Sequence, residues 1–137
     1  MHIDDIKNGI VIDHITAGKA MEIYNMLSLD KLDCAVAIIK NVPSKKLGKK
    51  DIIKIDCDID INLDVLGYIS PSITVATVKN GKIIEKKHIS LPVTLTDIII
   101  CKNPRCITST EQGIHHIFKL GNGKNPVYSC IYCDTEA

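Results

Sequence analysis

Ile73-Thr74-Val75-Ala76-Thr77-Val78-Lys79-Asn80-Gly81-Lys82-Ile83-Ile84-Glu85-Lys86 decides the fold of the larger part of this chain. Two runs rich in β-branched residues flank an Asn-Gly dipeptide, which supplies the positive φ angles of a tight hairpin turn. Working back from the hairpin, Ile10-Val11-Ile12-Asp13-His14-Ile15 reads as a strand with polar members at its end. Cys34 to Ile39 and Ile52 to Cys57 read as two more, joined by the polar turn region Pro43-Ser44-Lys45-Lys46-Leu47-Gly48. Thr16 suits a helix N-cap, and Ala17, Ala20, Met21, Tyr24 and Leu27 follow at helical spacing; a shorter helix is expected from Leu63 to about Tyr68. The order strand, helix, strand, strand, helix, strand is that of an α+β ferredoxin-like sandwich, an antiparallel sheet with two helices, extended here by the last hairpin strand. The other sheet face, or an edge strand, is left for a partner, and an exposed edge favours self-association as a dimer.

Working forward, Ser90-Leu91-Pro92 breaks the pattern and divides the chain into residues 1–92 and 93–137. In the second part Gly121-Asn122-Gly123-Lys124-Asn125 suggests another hairpin, and four cysteines set the chemistry. Cys101 and Cys106 are spaced C-x4-C, and after 23 intervening residues Cys130 and Cys133 are spaced C-x2-C. Two such thiolate knuckles can converge on one tetrahedral Zn2+, leaving no open coordination position, so the ion is expected to be structural in a small all-β zinc-binding domain. A tail of about forty residues buries too little to fold alone, so metal-binding free energy becomes its folding free energy. A rubredoxin-like iron centre, two disulfides, or four buried thiols rank below zinc. His115 and His116 are expected to be ordinary strand residues, and Cys34 and Cys57 buried core residues.

Composition limits the alternatives. Seventeen basic against sixteen acidic side chains leave a net charge of +1, too little for the broad positive surface of sequence-independent nucleic-acid binding, and with no Trp and one Phe there are few platforms for stacking bases. No apolar run is long enough to span a membrane. The acidic start Met1-His2-Ile3-Asp4-Asp5 lacks the features of a secretory signal, so a cytoplasmic, reducing location is expected and six cysteines suggest metal before disulfides. Asp56-Cys57-Asp58-Ile59-Asp60 lacks the glycine and glutamate of a calcium loop, and Gly121-Asn122-Gly123-Lys124 is not a P-loop.

Val11-Ile12-Asp13-His14-Ile15, Gly48-Lys49-Lys50-Asp51-Ile52-Ile53-Lys54-Ile55, and Ser90-Leu91-Pro92 ahead of the cysteine tail together resemble the regulatory chain of aspartate carbamoyltransferase, in collinear order over nearly the whole chain. The resemblance implies a non-catalytic subunit of pyrimidine biosynthesis. Its N-terminal allosteric domain would bind ATP, CTP or UTP, its zinc domain would dock on the catalytic chain, and three regulatory dimers would bridge two catalytic trimers. It further implies that Asp13 and His14 face the ribose and phosphates, Lys54 lies near ribose and base, and Lys86 contacts the triphosphate. Ile6 and Val11 would make apolar and backbone contacts around the base, with Lys50 an additional phosphate or second-nucleotide contact. Ala76 stands where the family typically has asparagine and Gly81 where it has a turn aromatic, which implies altered effector preference. Around the zinc, the resemblance makes Asn103, Arg105 and Asp134, read as pointing outward, candidates for the catalytic-chain interface. The cysteine knuckles taken alone leave a second reading open, a zinc-ribbon nucleic-acid-binding protein.

Overall fold

The computed structural model describes residues 6–124 and 126–137; the acidic start Met1–Asp5 and Asn125 of the expected C-terminal turn lie outside the described residues. The chain divides into two compact units, one ending at Leu91 and the next beginning at Pro92.

In the first unit the order is β1 (Gly9–Thr16), α1 (Ala20–Met26), β2 (Val36–Ser44), β3 (Gly48–Ile55), α2 (Leu63–Ile69), β4 (Thr74–Lys79) and β5 (Lys82–His88). The strands pair antiparallel in the sheet order β2-β3-β1-β4-β5, the expected sandwich with one strand added at an edge. Asn80 at φ 52° and Gly81 at φ 77° make the turn that the Asn-Gly dipeptide specifies, and Lys79 pairs with Lys82 across it. One face of the sheet carries the core. Ile10, Ile12 and Ile15 of β1, Ile53 and Ile55 of β3, and Val75 of β4 pack with Ile73, with Ala20 and Ile23 of α1 and with Leu66 of α2. Alternation along β1 and β3 puts these side chains on one face and leaves Val11, Asp13, Lys50 and Lys54 for the other. Gly9 is required where β1 meets β3, because a Cβ there would collide with the Ile55 carbonyl oxygen.

Thr16 is not the cap of α1. It is the last residue of β1; its carbonyl accepts the Lys19 N–H, and the helix begins at Ala20. Capping comes instead from β3. The fully buried Asp51 carboxylate accepts the Gly18 and Ala20 N–H groups on one oxygen and the Asn41 N–H on the other. The apolar face of the helix is correspondingly rotated: Ala20 and Ile23 are buried, while Met21 is exposed.

β2 and β3 run further into their hairpin than expected, with Ser44 Oγ accepting the Leu47 N–H in the turn. At the opposite end they stop at Val36 and Ile55, so Cys34 and Cys57 lie just outside the strands. Both are half-buried and pack against the margin of the core, and their sulfurs are joined in a disulfide with Cα atoms 6.2 Å apart. The expectation of buried core cysteines is corrected to half-buried, joined ones, because antiparallel pairing of β2 with β3 brings the two ends together.

The second unit is a three-stranded antiparallel sheet in the order β6 (Thr94–Thr96), β7 (Ile117–Leu120), β8 (Tyr128–Cys130), with one short helix, α3 (Ile107–Thr110). Gly121 N–H bonds the Val127 carbonyl, closing the β7–β8 connection. Its apolar core is small, comprising Leu95, Phe118 and Tyr128 beside the cysteines, and the Tyr128 hydroxyl donates to the Pro92 carbonyl at 2.6 Å. Among the described residues no helix is long and apolar enough to cross a membrane.

Candidate nucleotide pocket and metal centre

The outer face of the first sheet is organised by one irregularity. Ile12 pairs with Ile53 and Ile15 with Asp51, so Asp13 and His14 together stand opposite Ile52. This is a β-bulge, a device that re-aims side chains. His14 adopts φ 56°, a left-handed conformation that costs a non-glycine residue on the order of 1 kcal/mol and needs surrounding contacts to persist. Those contacts are present. His14 Nδ1 lies 2.9 Å from Thr74 Oγ1, and Ser72 Oγ donates to the His14 carbonyl at 2.7 Å. Ser72 in turn bonds Ser70, whose hydroxyl reaches Thr16.

Asp13 Oδ1 accepts the His14 N–H at 2.6 Å and lies 3.0 Å from Lys50 Nζ. Burial alone would raise this carboxyl, but the Lys50 hydrogen bond, the His14 N–H and the nearby positive charge outweigh it and hold it below the usual carboxylate value.

Pairing places Lys54 opposite Val11, Val11 opposite Ala76, and Ala76 opposite Lys86. Directly paired residues share a face, so these four form a row across β3, β1, β4 and β5 with about 14 Å between the outer backbones. Beside the row lies a cavity of about 240 Å³ lined by Ile6, Val11, Lys54, Val78, Gly81 and Ile83. Apolar walls with one ammonium group suit a flat heterocycle attached to an anion. Ile6, Val11 and Lys54 therefore come together in one cavity, while Asp13, His14 and Lys50 gather at the bulge on the same strands. Lys86 is exposed and stands at the far end of the row, outside the cavity wall. Val78 and Ile83 were not anticipated as walls. Alternation from Ala76 points to Val78, but Ile83 becomes its partner only through a register shift in the β4–β5 pairing.

In the second unit the sulfurs of Cys101, Cys106, Cys130 and Cys133 all lie within 4.8 Å of one another. Cys101 and Cys133 are 3.6 Å apart and Cys106 and Cys130 3.7 Å. A tetrahedral ion with Zn–S bonds of ~2.3 Å requires sulfurs about 3.8 Å apart, so the donor set and its spacing fit Zn2+. Both knuckles bend their own backbone toward the sulfurs. The N–H groups of Asn103, Thr108 and Thr135 bond the cysteines two residues before them, and Thr108 Oγ1 donates to Cys106 Sγ at 3.1 Å. The Thr108 bonds lower the Cys106 thiol; those of Thr135 lower Cys133 to about 6, whereas burial pushes Cys101 up to about 12. A bound dication would favour the thiolate at all four.

Arg105 and Asp134 are exposed, as read from their place in the knuckles. Asn103 is not outward-pointing: it is half-buried, its Oδ1 accepts the Arg105 N–H at 3.0 Å, and its side chain also bonds Cys133. An asparagine two residues after a ligand can fold the knuckle through its own side chain, and that local bond outcompetes exposure. His115 and His116 precede β7 rather than lying in it. His115 Nδ1 is 2.6 Å from Asp97, and His116 Nδ1 accepts the Cys101 N–H.

Two domain profiles match the chain. Residues 1–90 match the allosteric domain of the aspartate carbamoyltransferase regulatory chain, and residues 94–137 match the metal binding domain of that chain. A relative from Bifidobacterium longum named aspartate carbamoyltransferase regulatory chain is 45% identical over 137 residues, covering 100% of this chain and 99% of the relative. Relatives of the same name from Clostridium botulinum and Clostridium tetani are each 51% identical; the alignments cover 96% of this chain in both cases, and 90% and 92% of the relatives. With both halves matched by successive domains of one protein, and with full-length relatives well above 30% identity, this chain belongs to the aspartate carbamoyltransferase regulatory chain family.

Proposed function

We propose that this chain is a non-catalytic allosteric subunit that binds nucleoside triphosphates on the outer face of its first sheet and transmits their occupancy to aspartate carbamoyltransferase catalytic chains, controlling entry into pyrimidine biosynthesis. The observation that carries the reading is the cavity of Ile6, Val11 and Lys54 lying beside the bulge that presents Asp13, His14 and Lys50. The cavity takes the base, Lys54 reaches the base and ribose, Asp13 and His14 face the ribose and phosphates, and Lys86 closes on the triphosphate, with Lys50 an additional phosphate contact. ATP, CTP and UTP are the effectors.

Residues 1–92 form the effector domain in this reading, and residues 93–137 the docking domain. One structural Zn2+ on Cys101, Cys106, Cys130 and Cys133 holds the docking domain in shape, and the exposed Arg105 and Asp134 meet the catalytic chain. Two catalytic trimers are bridged by three regulatory dimers in the cytoplasm. An effector acts by binding one quaternary state more tightly than the other, so its differential affinity sets the size of the response. The test is to combine the chain with catalytic trimers of the same source and measure aspartate saturation with and without ATP and CTP. The expected result is a larger complex whose saturation curve shifts with nucleotide. Failure to assemble, together with curves indifferent to nucleotide, would overturn the proposal. The near-neutral net charge gives no support to nucleic-acid binding.

A further inference from the structure

Cys34 and Cys57 take no part in the metal centre or the nucleotide pocket. They sit at the open end of the β2–β3 pairing, where the Asp56 N–H still bonds the Ala35 carbonyl and the strands are about to separate. β2 is an edge strand of the sheet. Beyond Cys57 the chain runs through Asp58, Ile59, Asp60 and Ile61, which form one wall of a groove of about 260 Å³, to Asn62, the side-chain cap of α2. The cysteine pair therefore cross-links the start of β2 directly to the segment entering α2, which are otherwise joined only through the whole β2–β3 hairpin. Their Cα separation of 6.2 Å lies within the range a disulfide spans without backbone movement. Both residues are half-buried, so an oxidant of small size can reach them.

We propose that Cys34 and Cys57 are a reversible redox couple, closed by thiol–disulfide exchange with a small neutral or cationic disulfide, and that closure staples the edge strand to the segment leading into α2. The electron balance is complete. The thiolate of one cysteine attacks a sulfur of the small disulfide, forming a mixed disulfide and releasing one thiolate. The thiolate of the other cysteine then displaces the second. The two cysteine protons end on the two released thiols; the cysteine pair is oxidised by two electrons and the small disulfide is reduced by two.

The preference for a neutral or cationic oxidant follows from the charges around the pair. Within three residues of either cysteine stand Asp33, Asp56, Asp58 and Asp60 against Lys31 and Lys54, and all four carboxylates are exposed. Net negative potential at partly exposed thiols slows approach of an anionic disulfide and favours a cationic one, and salt screens the difference. Reversibility also reconciles a disulfide with a reducing compartment, where structural bridges are rare but exchangeable ones occur.

The test uses the full-length, zinc-loaded chain, treated with cystamine or with oxidised glutathione, then denatured with a chelator so that zinc-bound thiols label, and mapped by alkylation and mass spectrometry. Expected are a mass lower by about 2 Da, protection of Cys34 and Cys57 alone, and full recovery with dithiothreitol. Closing a loop of this length should raise the melting temperature of the first unit by on the order of 10 °C, and hydrogen exchange should slow across residues 57–61. Cystamine should act faster than oxidised glutathione, with the gap narrowing in salt. None of these effects should occur in Cys34→Ser or, independently, in Cys57→Ser. A wild-type chain that stops at a mixed disulfide, or that labels fully at Cys34 and Cys57 after either oxidant, would overturn the proposal.

Discussion

Lys50 Nζ lies 3.0 Å from Asp13 Oδ1, joining β3 to the bulge of β1 at the edge of the proposed nucleotide pocket. The pair sets the ionisation of the bulge. In Lys50→Met, burial that was opposed by the ammonium group acts with less opposition, so the Asp13 carboxyl should titrate at higher pH than in the wild type. Carboxyl titration by NMR reads this directly. The sign for stability follows from the lowered native value. Asp13 favours the folded state at pH above its unfolded value near 3.8, and that contribution is lost as pH falls through the native value; Lys50→Met should show a weaker loss in that acid window.

Lys54 is half-buried in the cavity wall, whereas Lys86 is exposed beyond Ala76. A charge-assisted hydrogen bond is worth ~1.5–3 kcal/mol, so Lys54→Ala should weaken triphosphate binding about ten- to hundredfold. At an exposed position the loss is nearer 0.2–1 kcal/mol, so Lys86→Ala should cost about two- to fivefold. Calorimetric titration of both variants with ATP, CTP and UTP checks the order, and equal effects would contradict the placement of Lys54 in the site.

Asp51 is fully buried and accepts three backbone N–H groups, those of Gly18, Ala20 and Asn41. Asp51→Ala should destabilise the first unit by about 3 kcal/mol or more, since each buried donor left unpaired costs ~1–3 kcal/mol. Asp51→Asn, which keeps one acceptor oxygen, should lose less. Urea unfolding followed by circular dichroism measures both.

Cys130 is fully buried and carries one of the four converging sulfurs. Cys130→Ser should lower zinc content from one equivalent toward none and expose residues 93–137 to protease, while residues 6–91 keep their structure because they have a core of their own. Metal analysis with limited proteolysis reads the two outcomes separately. Zinc bound in full by the variant would remove Cys130 from the ligand set.

Much of the fold was legible because its signals are local. Asn80-Gly81 demands a tight turn wherever it is placed, and β-branched runs at Ile10, Ile53 and Ile73 favour strands before any partner is known. The cysteine spacing likewise announces convergence on one ion, and the four sulfurs do converge. What was misread depends on partners distant in sequence. Thr16 has the chemistry of a cap, but Asp51, 31 residues beyond Ala20, supplies the acceptor, so a local rule for helix starts picked the wrong residue. Asn103 reads as a solvent-facing knuckle residue until its side chain is seen to bond Cys133 of the other knuckle, besides the nearby Arg105 N–H.

The sequence by itself determined the order of elements and the paired spacing that lets four cysteines converge, since each rests on intrinsic backbone preference or on chemistry at short range. Only the tertiary structure decided which residues share a surface: the bulge at Asp13 and His14, the row from Lys54 to Lys86, and the union of Cys34 with Cys57. Each depends on strand register, and register is settled when side chains from separate strands bury one face together. A shift of a single residue would have turned every one of them to the opposite side of the sheet.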